Sequence, residues 1–291
     1  MTARTRSPYA HHTRGVVLML ASTVCFTVNV LLVRALGEVE AVSTWLVTCI
    51  RFTAGMAVIY ALYRREFEFT HLFKNRKLAA RGVVGGASVY AFYLTVVQLG
   101  AGRATFINNT YVIFGAVMAV FVLGEPFGRA LVIGSIAALG GLALLTNAFG
   151  AHSHTGLYDL LGIVTAVASA YVVVTIRQLH ATEHTSTIFA AQCVYGLILC
   201  AIPAALHAQT VSALGWAMMV LAGVFASIGQ ITMTRAFRDL PVAEGSLLQM
   251  LVPLGIAVGG VVFFREHFAT HELVGAALIL GGTTFTAVRR S

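Results

Sequence analysis

Charge is what this chain has least of. Only 10% of its 291 residues are Asp, Glu, Lys or Arg, against 58% hydrophobic. A water-soluble domain carries about 25% charged residues. So few charges cannot coat a water-facing surface, and the mean hydropathy of +0.85 puts the chain in the membrane class. The apolar runs lack the period-two alternation of a membrane barrel. Cysteine is sparse: Cys25, Cys49, Cys193 and Cys200 all fall within apolar runs and form no C-x-x-C pair. They read as small core side chains rather than as a disulfide framework or a zinc site.

Catalytic patterns are missing as well. There is no G-x-S-x-G, no H-E-x-x-H and no Walker A sequence, so hydrolase, zincin and nucleotide-driven pump chemistry lack their usual residues. The pairs His180/His184 and His267/His271 have helical metal spacing but bring no evident third ligand. No enzyme activity, cofactor or metal is expected. Carboxylates are absent from the middle of every apolar run; all eleven acids sit at run ends or in connections, and the ten histidines do likewise. That disfavours a buried carboxylate proton relay and leaves open a proton path through water or a loop group.

What the chain does have is ten apolar runs long enough to span a bilayer. They lie near 15–36, 43–63, 79–99, 104–123, 129–148, 157–178, 187–206, 213–234, 242–264 and 270–288. Helices suit them, because each run then satisfies its own backbone in lipid. The first follows Arg4, Arg6 and Arg14 but has no clear small-residue cleavage site, so it reads as a retained helix. The net charge of +8 sits between the runs and orients the chain rather than binding nucleic acid. With the N-terminus inside, Arg103 and Arg265 are the cationic residues outside and Arg34 and Arg51 lie within spans. The rest, including Arg64, Arg65, Lys74, Arg76, Lys77, Arg81 and Arg177, fall inside. Both termini are then cytoplasmic.

The chain also repeats itself. Glu125-x-Phe127, Gly134 and Gly140-Gly141 return 141 residues later as Glu266-x-Phe268, Gly275 and Gly281-Gly282. The same offset pairs Gly15 with Gly156, Gly55 with Gly196 and Gly82 with Gly223. The fold expected is therefore an all-α membrane protein of ten transmembrane helices in two five-helix repeats, residues 1–148 and 149–291. Five is odd, so the second copy enters the membrane inverted, with Glu125 at the cytoplasmic side and Glu266 at the outer side. Inverted repeats suit two related gates around one central site.

Several polar residues interrupt the spans. Arg51 is the ninth residue of the second span, where a cation costs about 2.5–3.5 kcal/mol. It either meets an anionic group of a cargo or clamps helix carbonyls. Asn108 and Asn109 stand together in the fourth span, and the offset sets Gln249 opposite Asn108. Pro253, four residues beyond Gln249, removes the hydrogen bond to that carbonyl. An amide and a freed carbonyl could take an ammonium group, or the fourth and ninth spans could bond each other. Tyr90 and Tyr93 share a face of the third span; Asn29 and Tyr171 are isolated polar positions in the first and sixth. Trp45 reads as an interfacial anchor. Glu125 precedes Pro126 and reads as a cap of the following helix or as part of a gate.

Ten spans, two odd-numbered halves and a Glu–Phe–Gly–Gly-Gly pattern closing each resemble the drug/metabolite transporter superfamily, EamA type, over roughly 15–288. Length and the Asn-rich fourth span also resemble the YddG-type exporters of aromatic and other amino acids. The resemblance implies an alternating-access carrier that moves metabolites outward across a bacterial inner membrane. It also implies a cavity built from spans 1, 3, 4, 6, 8 and 9, which favours Tyr90, Tyr93, Asn108, Asn109, Gln249 and Tyr171 as lining. The expected partners are the lipid bilayer and a small-molecule cargo, an amino acid first. A nucleotide-sugar, purine or organic-cation carrier, or a non-transporting receptor or scaffold, are the alternatives. Nothing in the sequence specifies an oligomeric state.

Overall fold

The computed structural model describes residues 8–66, 69–99, 101–126, 128–148, 156–207, 209–265 and 269–290. Among these, every regular element is an α-helix. In order they are α1 (Pro8–Val39), α2 (Thr44–Tyr63), α3 (His71–Lys74), α4 (Arg76–Leu99), α5 (Ala101–Asn109), α6 (Tyr111–Leu123) and α7 (Arg129–Leu145). There follow α8 (Leu157–Leu179), α9 (Thr185–Leu206), α10 (Ala213–Asp239), α11 (Val242–Gln249), α12 (Leu251–Phe264) and α13 (Thr270–Arg290). Joining α5 to α6 and α11 to α12 as continuous rods, eight helices are long and apolar enough to cross a membrane. Helix α7 has 17 residues, which at 1.5 Å per residue is about 26 Å. Helix α1 has 32, about 48 Å, so one end outruns the apolar core of a bilayer.

The 141-residue offset is written into the helix boundaries. Thr44 and Thr185 begin α2 and α9, Leu123 and Phe264 end α6 and α12, and Arg129 and Thr270 begin α7 and α13. Even the backbone of the caps repeats. Gly124 ends α6 with φ 67° and Arg265 ends α12 with φ 57°. Left-handed backbone suits glycine; a side chain there costs roughly 1–2 kcal/mol. The second copy keeps the turn although it has lost the glycine. Glu266 lies outside the described residues, so only Glu125 of that pair is placed.

Packing follows the same exchange. Helix α1 lies along α10 as its repeat partner α8 lies along α4, and α4 packs on α9 as α10 packs on α2. Small residues set these approaches. A Cβ built on Gly196 would run into the Phe52 ring, and one on Gly55 would stand 2.6 Å from Cys193 Sγ; Phe52 and Cys193 are themselves a repeat pair. Helices α7 and α13 meet through the motif glycines, Gly134 against Gly282 and Gly141 against Gly275. An early residue of one facing a late residue of the other makes the two helices antiparallel.

The connections gather at two ends. At one, His71 and Asn75 meet Glu183, Arg14 reaches Asp239 at 3.8 Å, and His12 reaches Glu244 at 2.7 Å. At the other, Ser212 N–H donates to Glu40 and Gln209 to the Ala41 carbonyl, Arg103 pairs with Asp159 at 2.7 Å, and Arg34 covers the Phe264 ring. The polar contacts tie first-half to second-half segments at both ends.

Candidate functional site

The rod that carries Asn108 and Asn109 and the rod that carries Gln249 are both broken at those amides. Asn109 ends α5 and Gln249 ends α11. The breaks are tightened turns: Thr110 N–H and hydroxyl both donate to the Ile107 carbonyl, at 3.1 and 2.6 Å, and Met250 N–H donates to Leu247 at 3.0 Å. Pro253, in the first turn of α12, has no N–H to give the Gln249 carbonyl, which accounts for the second break. The first half reaches the same bend without proline, through the Thr110 hydroxyl turned back on its own helix.

A cavity of about 840 Å³ opens beside these breaks. Asn29, Arg51, Tyr93, Asn108, Asn109, Gln249 and Pro253 all line it. Tyr90 and Tyr171 are not part of its lining. Tyr90 instead stacks on Trp45, ring centroids 3.5 Å apart and 14° between planes, so the two tyrosines of that helix serve different neighbours and Trp45 has an intramolecular partner. From the deep residues Gln230 and Gln249 the cavity runs to Gly37 in the last turn of α1 and to Glu40 and Val42 in the α1–α2 connection. It is open toward that end, and no lining residue comes from the other.

The polar lining divides by chemistry. Asn29 Nδ2 donates to the Ala222 carbonyl at 2.9 Å, Asn109 Nδ2 to Thr105 at 2.8 Å and Gln249 Nε2 to Ser22 Oγ at 3.0 Å. Each amide nitrogen thus has a protein partner, and no described residue donates to the three amide oxygens. They are acceptors left over for a cargo donor. Gln249 bonds α1, not the fourth span as an interspan pairing would have it; the link between those rods is the longer Tyr111 hydroxyl contact to the Ser246 carbonyl, 3.5 Å. Asn108 has only a 3.5 Å contact from Ser169. On the α2 side, Arg51 Nη1 donates to the Tyr93 hydroxyl at 2.9 Å, which fixes a cation in the wall without neutralising it.

The closed end is held by Glu125. Its carboxylate pairs with Arg177 at 2.5 Å and accepts from Val242 N–H, the first residue of α11, at 2.9 Å. Arg177 also donates to the Phe237 and Leu240 carbonyls, at 3.0 and 2.6 Å. Glu125 therefore caps a helix, as its place before Pro126 predicts, but the helix is α11 of the other half; α7 is preceded by Gly128. A carboxylate at a helix N-terminus is favoured by the exposed N–H groups. His180 accompanies it, 2.6 Å from the Thr234 carbonyl. Burial first, then the charges of Arg238 and Arg177, lower its pKa against the opposing pull of that carbonyl and of Asp239.

Arg81 corrects the sequence reading most sharply. Its place in the run of basic residues 74–81 makes it a loop cation, yet it stands in the second turn of α4 and is 0% exposed. The helix begins at Arg76, so the side chain is carried inside the bundle. The lining residues Phe26, Phe92 and Met233 were also missed; apolar side chains inside an apolar run carry no sequence signal.

The EamA-like transporter family matches the chain twice, over residues 13–147 and 156–288. The pseudopaline exporter CntI of Pseudomonas aeruginosa, in strains PAO1 and UCBPP-PA14, is 26% identical over 270 residues, which is 91% of this chain and 93% of the relative. A crystal structure of a protein 20% identical superposes with a TM-score of 0.80, covering 96% of this chain and 98% of the other, and so shares the fold. Two matched repeats on an all-helical, multi-spanning chain with a central cavity lead to one conclusion: this protein belongs to the EamA-like transporter family.

Proposed function

We propose that the chain is a carrier that exports amino acids, aromatic or other neutral ones, and related small metabolites by alternating access. One observation carries the reading. A single cavity offers three unclaimed amide oxygens from both halves, those of Asn29, Asn109 and Gln249, together with a guanidinium held by Tyr93. Oxygens without a carboxylate suit an ammonium group, Arg51 suits a carboxylate, and Phe26 and Phe92 give the side chain an apolar wall.

In this reading α7 and α13 cross the membrane with the other eight rods. Two inverted five-span halves, residues 1–148 and 149–291, then enclose the cavity, and the antiparallel glycine contacts support that arrangement. The end carrying Lys74, Arg76, Lys77, Arg235 and Arg238 faces the cytoplasm of a bacterial inner membrane, as do both termini, by the charge rule. The cavity is then open outward and Glu125 with Arg177 closes the inner side. The pseudopaline exporter supports outward movement of a metabolite. Purified protein in liposomes tests the proposal with a panel of radiolabelled amino acids. Saturable flux of at least one is expected; no saturable flux of any, with or without a pH gradient, overturns it.

A further inference from the structure

Arg81 is a buried cation with no visible employment. It is 0% exposed, and none of its three guanidinium nitrogens has a hydrogen-bond partner among the described residues. A structural brace is recognised by the bonds it makes, and here there are none. The repeat offers no structural reason either, since the offset sets Ala222 opposite Arg81.

Its surroundings do point somewhere. A Cβ built on Gly85 would lie 3.6 Å from Arg81 Nη1 and 3.4 Å from the Gln192 side chain, and Gly85 and Gln192 both line the cavity. Arg81 is therefore one layer beneath the cavity surface. The layer is thin: Gln192 Nε2 reaches the Gly85 carbonyl at only 3.4 Å, and Gln192 Oε1 is buried without a hydrogen-bond partner. Arg51 lines the cavity itself, on α2, and α2 and α4 pack on the same helix α9.

We propose that Arg81 is a second anion-binding position on the transport path, reached by a carboxylate-bearing cargo when the Gly85–Gln192 layer parts. This rests on the carrier reading above and, within its cargo, favours the related metabolites that bear an anionic group beyond the one Arg51 holds over the neutral amino acids. Swinging the Gln192 side chain aside, with α4 and α9 still packed, breaks one long hydrogen bond and gives an unbonded guanidinium a partner, so the anion drives the opening that it needs. Arg51 and Arg81 then hold the two anionic groups of one cargo at once.

The local charge can be read without knowing the cargo. In reconstituted protein whose four native cysteines are replaced by alanine, Gly85→Cys is modified with an anionic and a cationic methanethiosulfonate of similar size. The anionic-to-cationic rate ratio is expected to exceed that of Gly37→Cys, at the cavity mouth, by about tenfold or more, to fall by a similar factor with Arg81→Gln and to persist with Arg81→Lys. Equal ratios at the two positions overturn the proposal even if Arg81→Gln fails to fold. Flux supplies the second arm: Arg81→Gln is expected to slow glutamate about tenfold more than leucine. Equal slowing of both makes Arg81 a brace and overturns the proposal. Wild-type protein that moves no amino acid defeats the carrier reading, while the reagent ratio still decides whether Arg81 faces the path.

Discussion

Gly141 of α7 and Gly275 of α13 face each other so closely that a Cβ on either would stand 2.5 Å from the other's carbonyl oxygen. Gly134 and Gly282 repeat the contact at the far end of the same seam, at 2.7 and 2.6 Å. The motif that marks the duplication is thus also the surface on which its two copies meet. Such backbone approach leaves no room for a methyl group. Gly140 and Gly281, the remaining motif pair, have nothing within 4 Å of a built Cβ.

That contrast gives a prediction with its own control. Gly141→Ala and Gly275→Ala should each destabilise the protein by about 1–3 kcal/mol through overpacking. Gly140→Ala and Gly281→Ala should be neutral, or stabilising by up to about 1 kcal/mol through helix propensity. Thermal unfolding of the four purified variants in one detergent checks this, and equal melting temperatures for Gly140→Ala and Gly141→Ala would contradict the packing.

Glu125 and Arg177 hold the closed end. Glu125→Gln keeps an acceptor for Val242 N–H and removes the charge facing Arg177, so the cost should be about 2 kcal/mol. The closed arrangement loses that stabilisation and the opposite arrangement does not. Labelling of a cysteine introduced at Gly115, by an impermeant reagent applied from the side of residues 71–75, should therefore speed up. Unchanged labelling would show that the pair does not govern this end.

His180 should make the same end sensitive to acid. Its pKa is lowered in the folded chain, by burial and by Arg238 and Arg177, so the unfolded chain binds the proton first as pH falls. Stability is then intact above about pH 6.5 and declines as pH drops below it toward the lowered value. His180→Gln should flatten that part of the profile. A melting temperature that falls as steeply between pH 6.5 and 5 in the variant as in the wild type would remove His180 from the account.

The two faces of the cavity should separate kinetically. Arg51→Gln and Gln249→Leu remove partners for opposite ends of a zwitterion, and each should raise the half-saturating amino-acid concentration by about tenfold. Tyr90→Phe, whose ring stacks on Trp45 outside the cavity, should leave it unchanged. Concentration dependence of uptake in liposomes makes the comparison, and a Tyr90→Phe effect as large as that of Arg51→Gln would misplace the site.

The sequence was most readable where it repeats. The offset linking Gly134, Gly140 and Gly141 to their copies anticipates helix boundaries such as Thr44 and Thr185, because one local pattern folds one way twice. Asn109, Gln249 and Pro253 were legible because polar groups and proline stand out within apolar runs. Tyr90 was not: a three-residue spacing brings two side chains within about 60°, and a partner 45 positions away, Trp45, decides which of them enters the cavity. Arg81 was obscured by its neighbours, since a run of basic residues marks a membrane edge without saying how far the helix carries its last member inside. The Glu125–Arg177 pair joins residues 52 apart in the chain, and no local pattern announces such a partner.

Whether one cavity is opened in turn at two ends is measured most directly by paired spin-label distances in liposomes. One pair, at Lys77 and Arg238, spans the end closed by Glu125; the other, at Glu38 and Gln98, spans the mouth. In the presence of a transported amino acid each pair should populate two distances, and any condition that lengthens the first should shorten the second. Distances that never change, or that lengthen together, would contradict an alternating-access carrier.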